Sequence, residues 1–208
     1  MANIHTIFRK LSPFFRRKRM ALFFSMFRPD DQTRLLDLGG LAGTWRDQPG
    51  RFPITLVNLS PHPTSDARIT SIKGDALHLP FPDRSFDIVF SNSLIEHLGS
   101  WENQKTFVRE AMRMAPKFWI QTPARWFPIE PHLIAPFVHY LPRSFQSHLL
   151  RWCTVWGWLE KPNPQQVEEF LAEVRLLTYQ ELKALFPGSK IIKEYFFGLT
   201  KSYIALKN

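Results

Sequence analysis

From Arg34 onward, short apolar runs alternate with stretches of helical spacing. Arg34–Leu38, Ile54–Leu59, Ile69–Lys73, Phe86–Ser91 and Lys117–Thr122 read as buried strands, too short for helices and mostly rich in branched or aromatic residues. Trp101–Met114 reads as a helix, with Val108, Ala111, Met112 and the following Ala115 on one side. Gln165–Val174 and Tyr179–Phe186 are two further helices, the second stopped by Pro187-Gly188. Lys190–Phe197 and Lys201–Leu206 read as a closing hairpin around Gly198. Strands followed by helices predict an α/β fold with a mostly parallel sheet, ending in an antiparallel hairpin. Ser60–Arg68, with Pro61 and Pro63, has no room for a crossover helix and predicts a loop.

Two segments break this rhythm. Before Arg34, the residues Ile4, Ile7, Phe8, Leu11, Phe14 and Phe15 lie close to helical spacing, and Pro13 is expected to break or kink a helix there. After the fifth strand, Pro123–Pro164 holds Trp126, Trp152, Trp156 and Trp158, many prolines, and only Glu130 and Glu160 as acids. It reads as an aromatic lid inserted into the domain over 124–164. The domain itself spans 34–208 and follows a basic helical extension over 1–33.

Composition sharpens the picture at the N-terminus. Of the net charge of +9, most comes from residues 1–28, which carry seven Lys or Arg and no acid, against 20 basic and 18 acidic residues in the rest. A basic segment with bulky apolar residues fits an anchor on an anionic membrane surface. The plainer and favoured reading is a helix packed on the core with solvated arginines, and a site for RNA or another acidic partner ranks last. No apolar run reaches the roughly 18 to 20 residues that span a bilayer. Met20–Phe27 is short and interrupted by Ser25, so a cleaved signal peptide is not expected, while a basic, acid-free transit peptide stays open. The expected location is cytoplasmic, with membrane association through the N-terminus. The single cysteine, Cys153, excludes a disulfide framework, and is expected to be buried among the aromatics. No pair of histidines has metal-ligand spacing, so no metal is expected.

The chemistry concentrates at the ends of the predicted strands. Leu35-Leu36-Asp37-Leu38-Gly39-Gly40-Leu41-Ala42-Gly43-Thr44 is an apolar strand ending in an acid and then glycines, with a helix expected to follow. Glycines let a chain turn tightly and let a ligand approach the backbone, and a helix N-terminus offers unpaired N–H groups. Further along come Gly74-Asp75-Ala76-Leu77-His78-Leu79-Pro80-Phe81-Pro82-Asp83-Arg84-Ser85-Phe86-Asp87-Ile88-Val89 and Ser91-Asn92-Ser93-Leu94-Ile95-Glu96-His97-Leu98.

In order and spacing, these three stretches resemble the class I S-adenosylmethionine-dependent methyltransferases, nearest the type 11 group that includes the ubiquinone and menaquinone methyltransferases. The resemblance covers residues 34–123 well and the closing hairpin loosely. It implies a Rossmann-like class I sheet and S-adenosyl-L-methionine as cofactor. By position it assigns Asp37, Gly39, Gly40 and Gly43 to the loop around the methionine part of the cofactor. Asp75 and Ala76 fall where the family contacts adenine, and Ser91 and Asn92 fall beside the sulfonium. Two positions depart from the family pattern. Leu41 stands where a glycine is usual, and Asn58 stands where an acid usually holds both ribose hydroxyls. Asparagine still accepts and donates one bond each, without the charge-assisted component.

The implied reaction moves a methyl group in line to a small acceptor, and the aromatic lid favours an apolar or lipid-like one. A general base helps when the acceptor is a hydroxyl or an acidic carbon. The candidates are His97, directly after the fourth strand, and Glu130 and His132 in the aromatic run after the fifth, with His139 ranked below them. A structural histidine and a lid whose polar groups satisfy the backbone are the plain alternatives. Nucleic acid is disfavoured as a partner: strand four is followed by Ser91-Asn92-Ser93-Leu94, without the Asn/Asp-Pro-Pro-Tyr run of base amino-group methylation. An RNA or protein methyltransferase therefore ranks below a small-molecule enzyme. A non-catalytic binding protein of the same fold is the remaining alternative, motivated by Leu41 and Asn58.

Overall fold

A computed structural model gives the structure of the chain. It describes residues 4–61, 63–130 and 135–208; side chains are described from residue 15 on, except that of Glu130. In chain order the elements are helix α1 (Ile4–Phe27) and strands β1 (Leu35–Leu38), β2 (Ile54–Asn58), β3 (Ile69–Lys73) and β4 (Ile88–Asn92). Helix α2 (Trp101–Met114) and strand β5 (Lys117–Pro123) follow. The segment after β5 contributes a short β6 (Ile129–Glu130) and β7 (Ala135–Pro136), then α3 (Arg143–Cys153) and α4 (Val155–Glu160). Helices α5 (Pro164–Glu173) and α6 (Tyr179–Leu185) lead to β8 (Lys190–Phe196) and β9 (Leu199–Lys207).

Seven strands form one sheet in the order β3-β2-β1-β4-β5-β9-β8. The first five are parallel, and β9 runs antiparallel to both β5 and β8. This is the expected mixed sheet. Strand order reverses between β1 and β4, so the carboxyl ends of these two strands flank the crevice where open α/β sheets bind ligands. All four residues of β1 are buried, as a strand covered on both faces requires.

The two faces are covered differently. On one face α2 and α6 supply Phe107, Val108, Ala111 and Leu182 to a cluster with Leu36, Val89 and Phe118. The capping is legible: Ser100 accepts from Asn103 N at the start of α2, and Thr178 and Glu181 form a capping box on α6. On the other face no crossover helix follows β1. The expected helix after the glycines is a three-residue 3-10 turn over Ala42–Thr44. Only nine residues lie between that turn and β2, and Trp45, the first of them, is sunk in the core. The vacated face is filled by α1. Met20, Phe23 and Phe27 pack with Trp45, Phe52, Phe90 and Trp119. Phe23 is wholly buried, with ring centroids 5.0 Å from Phe27 and 5.1 Å from Phe90.

α1 corrects one expectation and agrees with another. The chain stays helical through Pro13, although a proline inside a helix costs about 3 kcal/mol. The core contacts of residues 20–27 give the helix a reason to persist that local propensity lacks. The apolar side of α1 from Phe15 onward lies against the domain, while Arg16, Arg17 and Lys18 are exposed, in agreement with the reading of a helix packed on the core with solvated arginines. No helix among the described residues is long and apolar enough to cross a membrane.

The segment after β5 has a small core of its own, in which Ala135, Val138 and Leu150 meet Val167 and Leu171 of α5. α3 and α4 meet so closely that a Cβ on Gly157 would lie 2.2 Å from the carbonyl oxygen of Leu150. Trp126, Phe145, Trp152 and Trp158 remain largely exposed. Cys153 is exposed too, contrary to the expected burial, because the run His148–Leu159 splits into two helices that turn Leu150 and Gly157 inward and Cys153 outward.

Candidate functional site

The site begins with Asp37, third in β1. It is 1 % exposed, and Oδ2 accepts from the indole Nε1 of Trp45 at 2.7 Å. Burial pushes its carboxyl up to about 7, and the Trp45 bond pulls it partly back. Oδ1 has no hydrogen-bond partner among the described residues. Gly39 follows with φ of 76°, a conformation that favours glycine. Gly40 presses on the acid: a Cβ there would sit 1.7 Å from Asp37 Oδ2. Gly43 is the opposite case, with no atom within 4 Å of an added Cβ. The loop is thus tight against Asp37 at one end and open at the other.

Asn58 closes the loop from β2. Its Nδ2 donates to the carbonyl of Gly40 at 2.9 Å. The amide the sequence places in the acid's position is thus engaged in holding the glycine turn, with Oδ1 left to accept. Beyond β3, Asp75 is exposed and shapes a turn, its Oδ1 accepting from Leu77 N at 2.9 Å. Ala76 beside it lies in the core. At the end of β4, Ser91 is fully buried and donates to the carbonyl of Leu38 at 2.9 Å, tying β4 to β1. Asn92 carries a buried Oδ1 without a partner among the described residues. Asp37, Gly39, Gly40, Asn58, Asp75 and Asn92 thus stand on the carboxyl side of β1 to β4 or in the loops that leave it.

The candidate bases are placed as follows. His97 lies in a 3-10 turn after β4, and its Nδ1 is 3.0 Å from Glu173 Oε1 of α5. The backbone of Glu130 belongs to β6, opposite Ala135. His132 lies outside the described residues.

The structure adds a charged group that the sequence reading missed. Glu96 is fully buried and accepts from Thr122 Oγ1 of β5 at 3.0 Å. Arg19 of α1 turns inward, unlike Arg16, Arg17 and Lys18, and donates to Gln121 Oε1. It also pairs with Glu194 of β8 at 3.5 Å. Ser93 donates to the same Gln121 oxygen at 3.1 Å. Burial holds Arg19 below the ordinary guanidinium range. It also brings Lys201 of β9 down to about 8, with Arg19 adding to that and Glu194 opposing it. The available signals were faint: Glu96 sits next to His97, and four consecutive basic residues span most of a helical turn, so a helix packed on a domain turns one of them inward.

The arrangement suits a cation. Two buried carbonyl-type oxygens, Asp37 Oδ1 and Asn92 Oδ1, lack partners among the described residues, and buried polar atoms are rarely left so. The open position at Gly43 gives a ligand access to backbone. Among the described residues no group of three or more His, Cys, Asp or Glu forms a metal centre.

Residues 36–117 match a family model described as Methyltransferase domain. Over 113 residues the chain is 33% identical to ajmaline N-methyltransferase of Rauvolfia serpentina, a match covering 46% of this chain and 38% of that protein. The chain thus spans well under half the length of that relative. Among solved structures, phosphoethanolamine N-methyltransferase 2 of Haemonchus contortus, in complex with S-adenosyl-L-methionine, is similar at a TM-score of 0.55 and 18% identity. That likeness covers 85% of this chain and 38% of the other. The PH0226 protein of Pyrococcus horikoshii OT3 is similar at a TM-score of 0.53 and 19% identity, over 91% of this chain and 89% of that one. At these identities the structural likenesses speak for the fold.

Proposed function

We infer from the methyltransferase domain that this chain carries, in a class I fold, that it is an S-adenosyl-L-methionine-dependent methyltransferase acting on a small acceptor. The observation that carries this reading is the loop from Asp37 to Gly43, braced by Asn58 and lined by unpartnered buried oxygens. Asp37, Gly39, Gly40 and Gly43 would hold the methionine part of the cofactor. Asn58 would accept from the ribose, and Asp75 and Ala76 would meet the adenine. Ser91, through its bond to Leu38, and Asn92 would set the floor beside the reacting sulfur. When bound, the cofactor supplies an already activated methyl group.

The protein then needs to orient the acceptor and keep water away, and positioning of this kind is worth several kcal/mol. The aromatic segment 124–164 serves as the lid, and its Trp126, Trp152 and Trp158 favour an apolar or lipid-like acceptor. Where the acceptor loses a proton, His97 oriented by Glu173 receives it, with Glu130 and His132 as the other candidates. A lipid-like acceptor would place the enzyme at an anionic membrane surface in the cytoplasm, met by the exposed Arg16, Arg17 and Lys18.

One observation favours a second reading, a binding protein without turnover. The 3-10 turn at Ala42–Thr44 replaces the helix whose N-terminus was expected to face the ligand. The experiment is calorimetric titration with S-adenosyl-L-methionine and S-adenosylhomocysteine, followed by incubation with a lipid extract and mass detection of methylated product. Binding with product supports the enzyme. Binding without product from the lipid extract, or from a polar extract run beside it, favours the second reading. No binding at millimolar cofactor overturns both.

A further inference from the structure

A second concavity lies away from the glycine loop, between the segment that follows β5 and the end of α5. Its volume is about 280 Å³, and its lining includes Arg125, His139, Tyr140, Arg143, Gln146 and Arg175, with no acid lining it among the described residues. Three guanidinium groups around one small cavity repel each other unless something negative sits among them.

Among the described residues only one of the three has a carboxylate. Arg175 pairs with Glu181, donates to Gln104 Oε1 at 2.7 Å and lies 4.9 Å from the ring centre of Trp101. Arg143 spends one nitrogen on the carbonyl of Leu171 at 2.6 Å. Arg125 lies over the ring of Trp126 at 5.6 Å. Neither Arg143 nor Arg125 meets a carboxylate among the described residues. Each keeps planar donors, which match the oxygens of a phosphate or carboxylate. The mouth is rigidly mounted. Arg125 N donates to Leu177 O at 3.0 Å, and His139 Nε2 donates to Arg125 O at 3.1 Å. Arg175 N donates to Glu96 O at 2.7 Å, so the far wall is fixed to the turn after β4. The aromatic ring of Tyr140 and the aliphatic end of α5 supply an apolar side.

We propose that this cavity binds the anionic group of a small organic molecule, a phosphate monoester or a carboxylate, through Arg125 and Arg143 with Arg175 behind them. The proposal does not depend on methyl transfer. Its test is a titration of the full chain without cofactor, followed by NMR or calorimetry at constant ionic strength, using inorganic phosphate, glycerol phosphate and propionate as probes. Saturable binding is expected, and the tighter of the phosphate and carboxylate probes identifies the source. Arg125→Gln and Arg143→Gln should each weaken it at least tenfold, about 1.4 kcal/mol. Arg151→Gln on α3, outside the lining, should not. Arg143 also braces Leu171, so a melting curve accompanies each variant; Arg125→Gln, which touches only the exposed Trp126 ring, keeps the test decisive if Arg143→Gln unfolds the segment. Absence of saturable binding by either anion class, or equal loss in all three variants, overturns the proposal.

Discussion

The indole nitrogen of Trp45 donates to Oδ2 of Asp37 at 2.7 Å, so the residue that ends the glycine turn seals the acid of β1 inside the core. The bond accounts for only part of the acid's electrostatics, because burial is the larger influence and lifts the carboxyl from 3.8 to about 7. The folded state therefore binds a proton between pH 4 and 7 that the unfolded chain releases. The sign follows: stability tied to Asp37 is fully present below about pH 4 and is lost as pH rises through 7. The span corresponds to roughly 4 kcal/mol at most. Asp37→Asn keeps an acceptor for Trp45 and removes the titration. Denaturant midpoints at pH 5 and pH 8 should differ in the parent chain and coincide in the variant, which should be the more stable at pH 8. A cation bound beside Asp37 favours the ionised form, so cofactor affinity should rise through pH 7 in the parent and stay level in the variant.

Two glycines of one loop should behave oppositely on replacement by alanine. At Gly40 the new methyl would overlap the Asp37 carboxylate, and the loop must shift to admit it. Gly40→Ala should lower stability by about 1–3 kcal/mol, as overpacking does. At Gly43 the methyl meets nothing within 4 Å. Gly43→Ala should leave the melting temperature unchanged and weaken S-adenosyl-L-methionine binding, because the methyl occupies the space a ligand would need. Thermal unfolding and calorimetry on the two variants separate the effects.

The contrast between these glycines shows what the sequence discloses and what it hides. The strand pattern and the closing hairpin were legible, since each rests on local apolar runs and turn residues. Packing of α1 on the core was one of the readings of the N-terminus, but its partners there were not legible. Phe23 and Phe27 lie more than sixty residues from Phe90 and Trp119 in the chain, and a run of basic neighbours masks their role as core. The missing helix after β1 was hidden for a related reason. A glycine-rich turn is compatible with either outcome, and the burial of Trp45 against Phe23 decided it. Asp37 and Asn58 could be named from the resemblance to the class I methyltransferases. That Asn58 would hold Gly40's carbonyl could not, because a side chain's partner across two strands is a tertiary fact.

If α1 is part of the core, shortening Phe23 should unfold the domain, not merely loosen a tail. Its ring meets Phe24, Phe27, Trp45, Phe90 and Trp119. Phe23→Ala should lower stability by about 3–5 kcal/mol. Arg17→Glu, on the exposed side of the same helix, should change it by less than about 0.5 kcal/mol. Urea unfolding of both variants checks this, and equal small effects would mean that α1 is an appendage.

The pairing of His97 with Glu173 invites a test that separates a proton acceptor from a brace. Their side chains are 27% and 59% exposed, so the contact itself is worth less than about 1 kcal/mol of stability. Neither His97→Gln nor Glu173→Gln should move the melting temperature much. The kinetic expectations differ. If the imidazole takes the acceptor's proton, His97→Gln should lower kcat by about 10²–10⁴ and abolish the acid limb of its pH profile. Glu173→Gln should lower kcat less and keep that limb, since the imidazole remains but is held loosely. The double variant should be no worse than His97→Gln alone, because the carboxylate acts only through the ring. A bracing role predicts otherwise: both single variants would alter KM and kcat alike, with the pH profile intact. The measurement is a pH series of methyl transfer on the first acceptor found, with cofactor saturating throughout.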